Sequence, residues 1–245
     1  MKLEQYLKQT EHFIKDYLEK NHMDNYVLGL SGGVDSSLVA ALTRNAVGKD
    51  HLIAVAIPID SIPEDLKDAK RVAKILDVNL IIFDGSEMFH EAVKEFKKLS
   101  LEPDRSTLAN VKARIRMSIL YAIAQANRGL VIGTDNACER YTGYYTKYGD
   151  GGVDVLPISK LLKREVCEGC KLYGLPLDLA ERTPSAGLFE GQTDEKEMGI
   201  KYQTLDDYLL GKEIDDKSKE RIEYLHKISK HKRDNIPEMD DFIRD

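Results

Sequence analysis

Residues Leu28–Ser37 read LGLSGGVDSS. A short apolar run, YVLGL over 26–30, leads into Ser31-Gly32-Gly33, and a helix-forming run follows over 36–47. Strand, glycine turn and helix together can cradle a phosphate. Backbone N–H groups point into the turn, and the helix N-terminus adds positive potential. Gly32 and Gly33 permit close approach and a positive φ. On the glycines alone, a tight turn without a ligand fits as well as a phosphate site. The neighbouring residues shift the reading. The lysine of the G-x-x-x-x-G-K-[ST] phosphate loop is absent, and Ser31, Asp35, Ser36 and Ser37 stand in its place. Hydroxyls and amides hold phosphate oxygens directly. A carboxylate does so only through a cation, so Asp35 points to Mg²⁺.

Outward from this loop, strand and helix patterns alternate. Residues 2–20 carry an amphipathic stripe of Leu3, Tyr6, Leu7, Phe13, Ile14, Tyr17 and Leu18. HLIAVAIPI (51–59) is continuously apolar, as a buried parallel strand should be. Residues 63–77 read as a helix, 79–84 as a third strand, and 86–99 and 106–127 as helices. GLVIGT (129–134) reads as a fourth strand and VDVLPI (153–158) as a shorter fifth. These spacings imply right-handed crossovers and a doubly wound, mostly parallel five-stranded α/β sheet with helices on both faces. Ligands in such sheets bind beyond the carboxyl ends of the strands, at a switch in strand order. The loops after 26–30 and after 129–134 fall in that place, and both carry unusual residues.

Net charge is −6, which argues against a nucleic-acid binder but leaves room for a small anionic ligand. No apolar run is long enough to span a bilayer, and the N-terminus lacks the apolar core of a signal peptide. A cytoplasmic protein is expected, with no membrane and no nucleic-acid partner. The three cysteines fit reduced thiols. Cys167 and Cys170 form a C-x-x-C inside a helical pattern, with no second pair to complete a zinc site. They read as two thiols about one helical turn apart.

The loop SGGVDS (31–36) resembles the SGGxDS loop of the N-type ATP pyrophosphatases, which cleave ATP between the α and β phosphates and adenylate a substrate. The second loop narrows the resemblance. GTDNACERYTGYYTKYGDGGVDVLPISKLLKRE (133–165) is similar to the stretch characteristic of the ammonia-dependent NAD synthetases. NVKARIRM (110–117), TPSAGLFEGQTDEKEMGIKYQTLDDYL (183–209) and HKR (231–233) resemble further segments of that family. The likeness covers nearly the whole chain. It implies one synthetase domain over 1–245 of the adenine nucleotide alpha-hydrolase-like type, a flexible loop near 183–204 that closes as a lid, and a helical C-terminal segment. No glutaminase domain is expected.

What the resemblance implies for individual residues can be set beside their chemistry. ATP would be held by Gly29, Leu30, Ser31, Gly32, Gly33, Val34, Asp35, Ser36, Thr134, Lys163 and Ser185; the last position is Thr in much of the family. Deamido-NAD would be held by Arg114, Lys147, Asp154, His231 and Lys232. Asp35 and Glu139, at two adjacent loop mouths, would share the Mg²⁺ ion. Asp35, Glu139 and Lys163 would act as electrostatic and metal support, and no side chain is expected as a nucleophile. On the residues alone, Glu139 also reads as a solvated loop acid and Lys163 as a surface lysine. The aromatic run Tyr141, Tyr144, Tyr145 and Tyr148, set among glycines, suits a nucleotide platform better than a core. One departure stands out: many family members carry an arginine at the end of the second strand, over the adenine, and here no arginine follows Ile57.

The expected reaction is the ATP-dependent amidation of deamido-NAD to NAD by ammonia, through an adenylated intermediate, releasing AMP and pyrophosphate. ATP, deamido-NAD, ammonia and a second copy of the chain are the expected partners. Two other readings compete: another adenylating synthetase of the GMP-synthetase kind, and a nucleotide-binding module without catalysis. The TKYGDGG segment counts against the first, and Asp35, Glu139 and Lys163 occurring together count against the second.

Overall fold

In the computed structural model, residues 1–176, 178–179 and 193–240 are described. Four strands form one parallel sheet: β1 (Asn25–Gly29), β2 (Leu52–Ala56), β3 (Leu80–Ile82) and β4 (Gly129–Ile132). Their order is β3-β2-β1-β4. Tyr26 lies beside Leu52 on one flank and beside Leu130 on the other. The chain builds outward from β1 to β2 and β3, then returns to place β4 on the free side of β1. The switch in strand order therefore lies between β1 and β4.

The side-chain alternation of the strands divides the core into two layers. Tyr26, Leu28, Leu52, Ala54 and Ile132 face one layer. It is filled by α1 (Leu3–Lys20), α2 (Val34–Val47), α3 (Pro63–Leu76) and α7 (Lys163–Leu172). Leu7, Ile14 and Leu18 of the α1 stripe are buried there. Val27, Val55 and Val131 face the other layer, against Phe89 of α4 (Ser86–Lys98) and Ile119 of α5 (Arg105–Ala126). Fully burying each such side chain contributes roughly 1.5–3 kcal/mol. Asp104 starts α5 by accepting the N–H of Thr107 at 2.7 Å.

A third, smaller core gathers beyond the sheet. It joins Cys138 of α6 (Ala137–Thr142), Met198 of α8 (Asp194–Met198), Leu205 of α9 (Tyr202–Leu209) and Ile222 of α10 (Asp216–Ile228). Much of the expected lid segment is thus helical where it is described; residues 183–192, Ser185 among them, lie outside the described residues.

The expected fifth strand is a single parallel bridge between Ile132 and Val155. Asp154 N–H donates to the Val131 carbonyl and Gly133 N–H to that of Val155, at 2.9 and 2.8 Å. Pro157 then removes the donor that a longer ladder would need. The edge strand β3 is shorter than the expected 79–84 and leaves Ile81 and Ile82 exposed. Among the described residues, no helix is long and apolar enough to cross a membrane.

Candidate active site

The turn after β1 is held shut by its own hydroxyls. Ser31 Oγ and Ser36 Oγ lie 3.0 Å apart, and Gly33 N–H donates to Ser31 Oγ at 3.2 Å. Ser36 Oγ and Ser37 Oγ both donate to the Gly33 carbonyl, at 3.0 and 2.8 Å. Gly32 has φ +85, and a Cβ there would meet the Asp65 carbonyl oxygen at 2.6 Å. Glycine is therefore required both by conformation and by the close approach of α3. Leu30 and Val34 are buried and border the same cavity as the turn.

The turn after β4 faces this loop across the switch in strand order. Asn136 caps α6: its Oδ1 accepts Glu139 N–H at 3.0 Å, and Glu139 Oε2 accepts Asn136 N–H at 3.0 Å. The same Asn136 side chain donates through Nδ2 to Asp35 Oδ1 at 2.9 Å. One fully buried amide thus ties the two loop mouths together. Asn136 was missed in the sequence, although Asn-x-x-Glu is a capping-box signal.

Lys163 opens α7 and reaches the same point. Its Nζ donates to Asp35 Oδ2, lies 3.8 Å from Glu139 Oε1, and stands 4.8 Å from the centre of the Tyr202 ring. Burial alone would lower the pKa of this amine, but Asp35 and Glu139 together outweigh burial and hold it above its ordinary value. The Lys163 backbone is fixed by Asp206, whose Oδ1 accepts Lys163 N–H and whose Oδ2 accepts Arg164 N–H, each at 3.1 Å. Asp206 also accepts the Cys138 thiol at 3.0 Å. It replaces the serine or asparagine cap that α7 lacks at Leu162.

Glu139 Oε1 accepts from Tyr202, 3.2 Å away, and the same hydroxyl lies 3.1 Å from Asp194. Burial first, and then the Asp35 and Asp135 carboxylates, push the Glu139 carboxyl well above the usual range. Asp135 is buried beside it; its Oδ2 lies 3.6 Å from Arg140 Nη1 in an ion pair and makes no closer hydrogen bond. Burial, with Asp150 and Asp35 adding repulsion, raises its carboxyl as well.

Asp35, Asp135, Glu139, Lys163 and Asp194 line one cavity of about 510 Å³, which suits a small-molecule ligand. Gly29, Ser31, Gly33, Asp35, Ser36, Thr134, Glu139, Lys163 and Lys232 all face it. Gly32, Arg114, Lys147, Asp154 and His231 do not; His231 lines a second, smaller cavity that shares Lys232 with the first. Arg114 donates to the Lys147 carbonyl at 3.3 Å, and Lys147 Nζ to that of His231 at 2.8 Å. Asp154 accepts from Tyr121 and from Val131 N–H, at 3.0 and 2.7 Å. Lys232 Nζ donates to the Gly143 carbonyl at 2.7 Å, and Tyr145 donates back to the Lys232 carbonyl at 2.9 Å. The tyrosine-rich loop and the HKR segment are thus one hydrogen-bonded wall. Cys167 and Cys170 lie in α7 outside any disulfide, Cys170 buried against the Val34 carbonyl.

Residues 6–237 match the family model described as NAD synthase. The NH(3)-dependent NAD(+) synthetase of Mesoplasma florum is 42% identical, over 100% of both chains. The solved structure of NMN synthetase from Francisella tularensis superposes with a TM-score of 0.92 at 35% identity, covering 98% of this chain and 99% of that one. The NH3-dependent NAD synthetase from Campylobacter jejuni gives 0.79 at 29% identity over 98% and 99%.

Proposed function

The chain belongs to the NAD synthase family, and from that membership we propose that it amidates deamido-NAD to NAD with ammonia and ATP, releasing AMP and pyrophosphate. One observation carries the reading: Asp35, Glu139 and Lys163 converge where the glycine loop after β1 meets the turn after β4. A site built only to bind a nucleotide has no need for three charged groups at that point.

The nicotinate carboxylate is a poor acyl donor and must be activated. Its oxygen attacks the α-phosphorus of ATP, the bond from that phosphorus to the bridging oxygen breaks, and pyrophosphate leaves. Ammonia then attacks the acyl carbon, the carbon–oxygen bond to AMP breaks, and the nitrogen gives up a proton. The chain's part is to bring two anions together and screen their repulsion. Amides of the 31–36 turn and the N-terminus of α2 face the pyrophosphate, and Lys163 supplies a fixed positive charge beside it. Lys232 and the tyrosine wall take the acceptor. Arg114, Lys147, Asp154 and His231 serve the far end of the dinucleotide, beyond the cavity.

The donor set fits Mg²⁺. The carboxylates of half-buried Asp35 and Glu139 and of buried Asp135 repel one another, and a dication would relieve that repulsion. Phosphate oxygens and water would complete the ion's shell, as Mg²⁺ prefers. Asp35 and Glu139 would hold the ion, which neutralises charge on the departing pyrophosphate. A homodimer and a cytoplasmic location remain part of the proposal; exposed Ile81, Ile82 and Met88 near the β3 edge offer apolar surface for a second copy.

A second reading, with the acid mononucleotide as acceptor, is favoured by the higher structural similarity to the protein titled NMN synthetase. The test is to supply Mg²⁺-ATP and ammonium with either deamido-NAD or nicotinate mononucleotide, and to follow the amide product and AMP. NAD and AMP in equal amounts, with slower turnover of the mononucleotide, is the expected result. The reverse preference establishes the second reading. AMP without either amide would leave the adenylating half and remove both acceptors.

A further inference from the structure

Two residues beyond Arg114, α5 carries another arginine that none of these roles uses. Arg116 lines the large cavity. Its Nε donates to the Ile57 carbonyl at 3.0 Å and its Nη2 to Ser61 Oγ at 3.3 Å. A guanidinium has five N–H donors, so several remain. Among the described residues, Nη1 makes no hydrogen bond, and it is not one of the sealed polar atoms that lack a partner, so it is accessible on a residue that lines the cavity. Asp65 and Asp150 act on Arg116 through space without forming an ion pair with it. A half-buried guanidinium with carboxylates acting on it only at a distance is incompletely compensated, and an anion in the cavity would offset that cost.

The location selects the anion. Asp65 packs against Gly32 in the phosphate loop. Asp150 lies by the opposite wall, within the electrostatic reach of Lys232 and bonded to Thr146 N–H at 2.8 Å. Arg116 lines the same cavity as Ser31 and Asp35 of the phosphate loop and as Asp150 and Lys232, which puts it within reach of the stretch between the pyrophosphate end and the acceptor end. The bond that breaks and the bond that forms on adenylation share the α-phosphorus, which must occupy that middle ground. Arginine's planar fork matches phosphoryl oxygens.

We propose that Arg116 is a catalytic residue that binds the α-phosphoryl oxygens of ATP and then of the adenylate. It donates N–H hydrogen bonds and transfers no proton. The anchoring to Ile57 and Ser61 fixes the fork before the substrate arrives. It also places a cation beside the end of β2, where the family's usual arginine is missing from the sequence. The inference rests on the adenylation reading given above.

The test is calorimetric titration of the wild-type protein, Arg116→Gln and Arg116→Lys with AMP and, separately, with Mg²⁺-pyrophosphate, together with a melting temperature for each. Arg116→Gln should weaken AMP by roughly 10- to 100-fold while pyrophosphate stays within about threefold. Arg116→Lys should fall between for AMP, because it keeps the charge and loses the fork. Unchanged AMP affinity in folded Arg116→Gln overturns the proposal. So does a parallel weakening of both ligands that follows the melting temperature, as a loosened Ile57–Ser61 turn would give. If Arg116→Gln does not fold, Arg116→Lys carries the test: AMP weakened with pyrophosphate kept supports the assignment, and both kept refutes it. A wild-type protein that binds neither ligand overturns the adenylation reading itself, and this inference with it.

Discussion

Lys163 and Asp35 stand 128 residues apart in the chain and form an ion pair across the seam between β1 and β4. The pair is almost dry, with side chains 8% and 17% exposed. Its attraction is therefore stronger than at a surface, and either partner left alone carries a desolvated charge. Asp35→Asn keeps the shape and the acceptor for Asn136 but removes the charge. Steady-state amide formation should fall on the order of 10²–10³-fold. Turnover near that of the wild type at every Mg²⁺ concentration would contradict the role given to Asp35.

Asp206 holds the Lys163 backbone rather than its side chain. Asp206→Asn keeps one acceptor oxygen and loses the other. The expected stability loss is about 1 kcal/mol, a fall of roughly 2–4 °C in melting temperature. KM for ATP should rise while kcat is largely kept, because Lys163 stays in place but is less firmly aimed. A fall in kcat with unchanged KM would argue that Asp206 acts on the chemistry directly.

Gly32 and Gly48 separate conformational strain from contact. Both have positive φ, +85 and +89, but a Cβ on Gly48 meets nothing within 4 Å. Gly48→Ala should cost about 1–3 kcal/mol of strain and leave ATP affinity intact. Gly32→Ala adds a collision with the Asp65 backbone and should also lose ATP binding, measured by titration. Equal effects of the two substitutions on ATP affinity would deny the phosphate loop its role.

Asp135 makes a prediction about pH. An unfolded aspartate loses its proton near pH ~3.9, whereas burial keeps the native carboxyl protonated to higher pH. Between those points the native state binds more protons than the unfolded chain, so stability falls as pH rises. Asp135→Asn removes that slope. Without ligand or metal, the melting temperature of Asp135→Asn minus that of the wild type should be larger at pH ~8 than at pH ~5. A difference independent of pH would mean that Asp135 is ionised throughout.

The sheet and the phosphate loop were legible because their signals are local. Continuous apolar runs read as parallel strands, and Ser31-Gly32-Gly33 can only be a turn. The fifth strand failed because VDVLPI has a strand-like pattern, but its pairing depends on where β4 ends and is cut short by Pro157. Asn136, Asp206 and Arg116 were not legible as site residues for a different reason. Asn136 meets Asp35 101 residues away, Asp206 meets Lys163 43 residues away, and Arg116 meets Ile57 59 residues away. No periodicity encodes such pairings. In YQTLDDYL, Asp206 looks like any solvated acid, yet it is 2% exposed. The dinucleotide residues were named through family resemblance, and four of the five do not line the large cavity.

Adenylation itself is tested most directly with deamido-NAD whose nicotinate carboxylate carries heavy oxygen on both positions. After turnover with Mg²⁺-ATP and ammonium, AMP is isolated and weighed by mass spectrometry. Attack of the carboxylate on the α-phosphorus leaves one labelled oxygen on the AMP phosphate and the other in the amide of NAD, and that is the expected result. Unlabelled AMP, with NAD still formed, would contradict the adenylated intermediate and the placement of both substrates around it.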